Sequence, residues 1–118
     1  MQNELLQETQ HSYYDYVVKI EGGCQQIANN LRTGKQVEAF EMIADLSEGI
    51  EWLVTVEKHM LENNYYINSC LNDMIDMLKE VSQALEIGDS VTVADLFEYE
   101  IAPMFMSASE WTFEKIEN

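Results

Sequence analysis

Apolar residues recur at spacings of three and four in four segments of the chain, which is the period of an amphipathic helix. The first segment carries Tyr13, Tyr16, Val17, Ile20, Cys24, Ile27, Ala28 and Leu31. The second carries Val37, Phe40, Ile43, Ala44, Ser47, Ile50 and Val54, with Leu46, Trp52 and Leu53 widening its stripe. The third carries Ile67, Cys70, Leu71, Met74, Leu78, Val81 and Leu85, and the fourth Ala94, Phe97, Ile101, Met104, Phe105, Ala108 and Trp111. Each stripe must be buried against another element, so the pattern predicts four packed helices.

Residues typical of helix ends separate these segments. Thr33-Gly34 and Ile87-Gly88 end the first and third helices, because glycine adopts the left-handed conformation that closes a helix. Asn63-Asn64 divides the second helix from the third, and Asn64 is expected to cap the third. The fourth helix begins after a cap at Asp89, Ser90 or Thr92, and Thr92 with Asp95 has the spacing of a capping box.

Short connections make successive helices antiparallel. We therefore predict an all-α fold, a four-helix up-and-down bundle made of two helical hairpins, with residues 1–118 forming one domain. Leu31-x-x-Gly34-x-x-Val37 matches Leu85-x-x-Gly88-x-x-Val91 at an offset of 54 residues, which is consistent with two related hairpins. No period-two alternation predicts a strand.

Three residues weaken these helices. Pro103 lacks an N–H group and clashes with the carbonyl group of Tyr99, so a kink or a short break is expected after Tyr99. Gly22-Gly23 interrupts the first stripe. It favours close approach of a neighbouring helix, and the alternative is a kink that opens a groove.

The 118 residues include 6 basic and 22 acidic side chains, a formal net charge of −16. Nucleic acids and anionic membranes are disfavoured as partners because both require clustered cations. We expect no signal peptide, and no apolar stretch in the sequence is long enough to span a membrane. Its two cysteines are too few for a disulfide framework, so we expect a cytoplasmic protein with reduced thiols.

A search for catalytic and metal-binding motifs yields little. A di-iron bundle needs two Glu-x-x-His motifs, and only Glu8-x-x-His11 matches. EF-hand, nucleophile-elbow and phosphate-loop patterns are absent, and Cys24 and Cys70 are interpreted as core residues. We expect no catalytic residue, no metal and no cofactor, and a protein that is not an enzyme. A metal-binding helical-bundle enzyme remains an alternative.

Aromatic residues off the main stripes indicate an interface, where tyrosine and tryptophan are enriched. Tyrosines early in the first helix and at the start of the third lie at the same end of an up-and-down bundle. The predicted partner-binding surface comprises Tyr13, Tyr14, Trp52, Tyr65, Tyr66 and Tyr99. Several methionines, Met60, Met74, Met77, Met104 and Met106, either fill core gaps or line an adaptable groove.

The segment 85–106, LEIGDSVTVADLFEYEIAPMFM, resembles uncharacterised small acidic helical proteins of Gram-positive bacteria. They share its Gly-Asp…Ala-Asp-Leu-x-Glu-Tyr-Glu-x-x-Pro pattern. The resemblance implies a helical fold and a bacterial source, and it carries over no functional residue. In layout alone the chain is similar to the flagellin export chaperones, which are cytosolic helical bundles of similar length.

These observations favour a cytosolic protein-binding module, adaptor-like or chaperone-like, that forms a complex with another protein or a homodimer. An acidic mimic of nucleic acid that binds a basic protein is the alternative. The acidic residues on one side of the second helix support it: Glu38, Glu41, Asp45, Glu48 and Glu51.

Overall fold

The computed structural model describes residues 2–117 as a rod of 50 × 21 × 21 Å. The elements are α1 (Gln2–Arg32), α2 (Gln36–Glu62), β1 (Tyr65–Tyr66), α3 (Leu71–Glu86), α4 (Ser90–Asp95), a π-helical segment (Leu96–Ile101), α5 (Ala102–Met104), a 3₁₀ turn (Ala108–Glu110) and β2 (Glu114–Lys115). We call the continuous run from α4 to α5 the fourth helix. Each of the four helices packs against two neighbours, in the order α1, α2, α3 and the fourth helix. The predicted all-α bundle is confirmed.

The two short turns at one end of the rod follow the sequence signals. Gly34 and Gly88 have φ angles of +81° and +71°, the left-handed conformation that closes α1 and α3. Asp89 is the residue that caps α4, since its carboxylate accepts a hydrogen bond from the backbone N–H of Thr92 at 3.1 Å. The capping box expected at Thr92 and Asp95 does not form, because Asp89 already binds Thr92.

The predicted stripe of α1 is buried almost without exception. Its buried residues are Tyr13, Val17, Ile20, Cys24, Ile27, Ala28 and Leu31, and only Tyr16 is half-buried. Leu6, which the stripe did not include, is buried as well. The spacing of three and four therefore identified the face that packs against both α2 and the fourth helix.

The predicted stripe of α2 is wrong over much of its length. The buried residues are Ala39, Ile43, Leu46, Ile50, Leu53, Val56 and Met60. Val37, Phe40, Trp52 and Val54 are exposed instead. Helix α2 has apolar residues on two faces, and α1 covers one of them while α3, the less closely packed neighbour, leaves the other open.

The connection from α2 to α3 also differs from the prediction. Helix α3 begins at Leu71, with Cys70 and not Asn64 at its N-cap, so Tyr65 and Tyr66 do not open a helix. Asn64 has a φ angle of +67°, and its carbonyl oxygen accepts a hydrogen bond from Ile116 N–H at 2.7 Å. This bond extends a two-stranded antiparallel sheet, in which β1 pairs with β2 near the C-terminus.

Pro103 changes the fourth helix without breaking it. The helix widens into π geometry over Leu96–Ile101, and the Ala102 N–H binds the Phe97 carbonyl group five residues back. The wider turn accommodates a proline that has no N–H to donate and whose ring collides with a carbonyl in α geometry. The irregularity expected near Tyr99 is thus present as a π segment.

The glycine pair of α1 does not have the role expected of it. A Cβ atom built at Gly22 or Gly23 meets nothing within 4 Å, so close helix approach does not explain this pair. Gly49 of α2 lies directly against Tyr16 of α1, where a Cβ atom would be 1.8 Å from the phenol oxygen. The close contact between α1 and α2 therefore occurs at Gly49, and the Tyr16 ring packs edge-on against Trp52 there.

We predict that Gly23→Ala stabilises the protein by about 0.5–1 kcal/mol, because alanine favours the helix and the site has room. Gly49→Ala is expected to lack this gain or to destabilise, since Tyr16 must move away from its contact with Trp52. Urea unfolding of both variants measures the difference. An equal gain for the two variants would contradict the packing described for Gly49.

Candidate functional site

The aromatic residues of the predicted partner surface lie in three different places. Trp52 packs against Tyr16 on the α1–α2 side, with ring centroids 6.2 Å apart. Tyr99 lies on the fourth helix, 5.7 Å beneath the guanidinium group of Arg32. Tyr13, Tyr14, Tyr65 and Tyr66 are at the end of the rod that holds the sheet. The structure therefore brings together only these four of the six.

Tyr13 does not belong to the surface, because its side chain is 0% exposed. Its ring packs edge-on against Phe113 with a centroid distance of 4.9 Å, and Tyr14 contacts both rings. The Tyr14 hydroxyl oxygen accepts a hydrogen bond from the Phe113 backbone N–H at 2.9 Å. Tyr13 is therefore a core residue, as its place on the apolar stripe of α1 predicted, and its assignment to the partner-binding surface was wrong.

A polar cluster beneath the sheet fixes the connection between α2 and α3. Oε2 of Glu57 accepts hydrogen bonds from the Tyr13 hydroxyl at 2.5 Å and from the Ser69 hydroxyl at 2.6 Å. Ser69 also accepts a hydrogen bond from the backbone N–H of Leu71 at 3.3 Å, at the start of α3. A single carboxylate of α2 thus joins α1, the connecting segment and the first turn of α3.

The C-terminal segment closes this end of the rod. Phe113 inserts beside Tyr13 and Tyr14, and β2 then pairs with β1 in the register Tyr65 with Lys115 and Tyr66 with Glu114. Paired side chains of adjacent strands project from the same face of a sheet. Lys115 accordingly lies over the Tyr65 ring at 5.7 Å on one face, and Tyr66 and Glu114 share the other.

A polar recess opens on the face that carries Tyr66 and Glu114. We call it the aromatic recess, and it is lined by Tyr66, Asn68, Ser107, Glu110, Trp111, Thr112 and Glu114. Tyr66 is 53% exposed, and the indole N–H of Trp111 donates to the Ser107 hydroxyl at 3.3 Å, which orients that ring. The lining contains two carboxylates and two aromatic rings, and none of these seven residues is basic.

Burial changes the acid–base behaviour of three groups in the core. The pKa of Tyr13 lies far above its ordinary value, because burial disfavours the phenolate and Glu57 adds a hydrogen bond and a negative charge beside it. Burial also raises the pKa of the Cys24 and Cys70 thiols to about 12. Both thiols are free, and neither forms a disulfide.

The two cysteines are not neighbours. Cys70 lies beside Tyr13, whereas Cys24 is eleven residues, about 16 Å, further along α1. Within residues 2–117, no three His, Cys, Asp or Glu side chains are arranged to hold a metal ion. Glu8 and His11 are both exposed on the first turns of α1. The same part of the chain has no helix that is long and apolar enough to cross a membrane.

Residues 8–110 match the sequence profile of a family described as a domain of unknown function, DUF8042. The chain belongs to this family. It is also similar to an uncharacterised protein of Treponema pallidum (strain Nichols), with 27% identity over 95 residues, covering 73% of this chain and 48% of the relative. The chain therefore spans about half the length of that relative. No solved structure matches it.

Membership of DUF8042 supports the expected resemblance to a family of unknown function. The aromatic recess lies partly beyond the matched residues, since Trp111, Thr112 and Glu114 follow position 110. Sequence reasoning placed Tyr65 and Tyr66 at the right end of the bundle. It missed Trp111, Glu110 and Glu114, because no local pattern indicates that the C-terminal segment returns to pair with β1.

We predict that stability decreases as the pH rises above about 9–10, the ordinary pKa range of cysteine and tyrosine. The folded protein keeps protons on Tyr13, Cys24 and Cys70 that the unfolded chain releases, so the unfolded state binds fewer protons and is favoured at high pH. Urea unfolding at a series of pH values, with tyrosinate absorbance recorded in parallel, tests this.

Tyr13→Phe is expected to cost about 1–3 kcal/mol at neutral pH, because Glu57 loses a hydrogen bond in a partly buried site. It should also make the alkaline loss of stability shallower. Tyr66→Phe is the matched control, since its hydroxyl group is at an exposed ring and its removal should leave stability unchanged. Equal effects of the two substitutions would contradict the role assigned to the Glu57 cluster.

Proposed function

We propose that this protein is a non-enzymatic protein-binding module that binds a basic segment of another protein at the aromatic recess. The observation that carries the proposal is the composition of the recess, in which Tyr66 and Trp111 lie beside Glu110 and Glu114 with no basic residue in the lining. A lysine or arginine side chain of the partner would supply the missing positive charge.

The chemistry of the recess suits a cationic side chain. Aromatic faces attract ammonium and guanidinium groups, with arginine the more frequent partner. Carboxylates accept charge-assisted hydrogen bonds from the same groups. Lys115 over Tyr65 is an intramolecular example of a cation over an aromatic ring on the opposite face of the same sheet.

The charge of the whole chain favours the same class of partner. A net charge of −16 attracts a basic segment over a longer range than the recess itself and raises its rate of association. The adaptor-like or chaperone-like role proposed from the sequence is compatible with this mode of binding. A cytoplasmic location remains part of the proposal.

The test uses the fluorescence of Trp111. The chain has two tryptophans, so Trp52→Phe leaves Trp111 as the sole reporter in the recess. We expect a short arginine-rich peptide to change Trp111 fluorescence saturably. Tyr66→Ala should weaken binding about fivefold, the effect of losing roughly 1 kcal/mol of cation–π attraction.

The carboxylates require a control for general charge. Glu110→Gln with Glu114→Gln should weaken binding by about fivefold or more. Glu80→Gln with Glu86→Gln removes the same two charges from exposed positions of α3 and should change binding far less. Equal weakening of binding by the two double substitutions would show that only the net charge of the protein matters. An absence of saturable peptide binding would reject the recess as a site.

A second candidate function is the acidic mimic of nucleic acid. The five residues that suggested it, Glu38, Glu41, Asp45, Glu48 and Glu51, are all exposed on α2. In a pull-down from native lysate at low and moderate salt, nucleic-acid-binding proteins retained only at low salt and lost with Glu38→Gln and Glu48→Gln would favour this candidate. Partners lost with Tyr66→Ala would favour the recess.

A further inference from the structure

Half of the large exposed apolar side chains in the described chain lie on α2, on α3 and at the turn between α3 and α4. We call this the α2–α3 strip, and it comprises Val37, Phe40, Val54, Leu61, Ile75, Ile87 and Val91. These are seven of the fourteen such residues. A solvated helix face carries isolated apolar residues, whereas a concentration of this kind on two adjacent helices and the turn that follows them indicates an interaction surface.

The strip follows a groove between two loosely packed helices. Phe40 of α2 and Leu85 of α3 line one part of it, and Val54 of α2 with Ile75 and Leu78 of α3 line the next. At the upper end, the Gln36 side chain donates a hydrogen bond to the Ser90 hydroxyl at 3.3 Å. This contact holds the two turns side by side, and Val37 and Val91 directly follow the two bonded residues.

The groove differs in charge from the rest of the protein. Of the residues that line its two parts, one is acidic, Glu51, and one is basic, Lys79. The ion pairs formed within residues 2–117 involve Arg32 and His59, so neither Glu51 nor Lys79 is already paired there. The groove is therefore neutral in a chain whose net charge is −16.

These features fit a second copy of the same chain. Helices α2 and α3 are antiparallel, and Glu51 and Lys79 line the same part of the groove. A two-fold axis that runs along the groove places α2 of one copy over α3 of the other at the same height. Glu51 of each copy then faces Lys79 of the other. The apolar residues of the two strips pack against each other along the axis, with one Glu51–Lys79 pair on either side of it.

The size of the strip sets the strength of this contact. The strip is two helices wide only along α3, whose 16 residues extend about 24 Å, and two helices are about 20 Å wide, so about 500 Å² per copy is available. A standard interface buries about 800 Å² per partner. The contact is therefore smaller than a standard interface, and we expect a weak dimer in rapid exchange with the monomer.

We propose that the α2–α3 strip binds a second copy of this chain in a two-fold symmetric dimer, with Glu51 of each copy facing Lys79 of the other. No residue of the strip lines the aromatic recess, so the proposal does not depend on the function proposed for that site.

Sedimentation velocity of the purified full chain over a range of concentrations and salt tests the proposal. We expect reversible dimers. Association should strengthen as salt rises from low to physiological concentration, because salt screens the repulsion between two copies of charge −16 while apolar contact is retained. A chain that stays monomeric under all conditions would overturn the proposal. This holds even if the groove then proves to bind a helix of another protein.

Two sets of variants locate the interface. Ile75→Glu should weaken dimerisation by at least about tenfold, because the symmetric contact buries the new charge twice. Val18→Glu makes the same change at an exposed position of α1 and should have little effect. Thermal unfolding of dilute samples verifies that both variants fold. Equal weakening by the two substitutions would overturn the assignment to the strip.

Charge exchange tests the arrangement of the two copies. Glu51→Lys alone and Lys79→Glu alone each place like charges opposite one another and should weaken the dimer several-fold. The double variant restores opposite charges and should recover most of the wild-type affinity. A double variant whose dimer affinity is reduced by as much as the two single substitutions together would overturn the proposed arrangement.

Discussion

The non-helical end of this protein depends on the hydrogen bonds that the carboxylate of Glu57 accepts. One of its oxygens accepts hydrogen bonds from Tyr13 of α1 and from Ser69 of the connecting segment, and Ser69 in turn holds the first N–H of α3. A partly buried carboxylate is costly to leave without its donors, so these segments are fixed together. The position of β1 follows from this, and β2 can form the aromatic recess only because β1 is held in place.

The parts of the fold that could be predicted from the sequence are those determined locally. Gly34 and Gly88 end their helices because only a residue without a side chain adopts those φ angles at no cost. The face of α1 is equally clear, since that helix has a single apolar stripe. Helix α2 has two, and its period cannot show which one α1 covers. Phe40 was therefore assigned to the core although it is 45% exposed.

The aromatic recess depends on contacts between distant parts of the chain, and no local pattern reveals them. Tyr65 and Tyr66 follow an asparagine pair and resemble the start of a helix. They are in a strand because residues 114 and 115, almost fifty positions later, offer hydrogen-bonding partners. Pro103 shows an intermediate case. Its position predicts a disturbance of the fourth helix, whereas the choice of a π segment over a kink depends on keeping Phe97 and Ile101 in the core.

Three of the six cations of this acidic chain lie at the places described above. Arg32 joins α1 to the fourth helix through Asp95 and Glu98, Lys115 covers Tyr65, and Lys79 lines the groove of the α2–α3 strip. With those positions accounted for, most of the remaining surface charge is negative. Under the two proposals, this charge attracts a basic segment to the aromatic recess and repels a second copy approaching the strip. Because salt screens both effects, we expect it to weaken the first association and strengthen the second, so that the two proposals predict opposite responses to ionic strength.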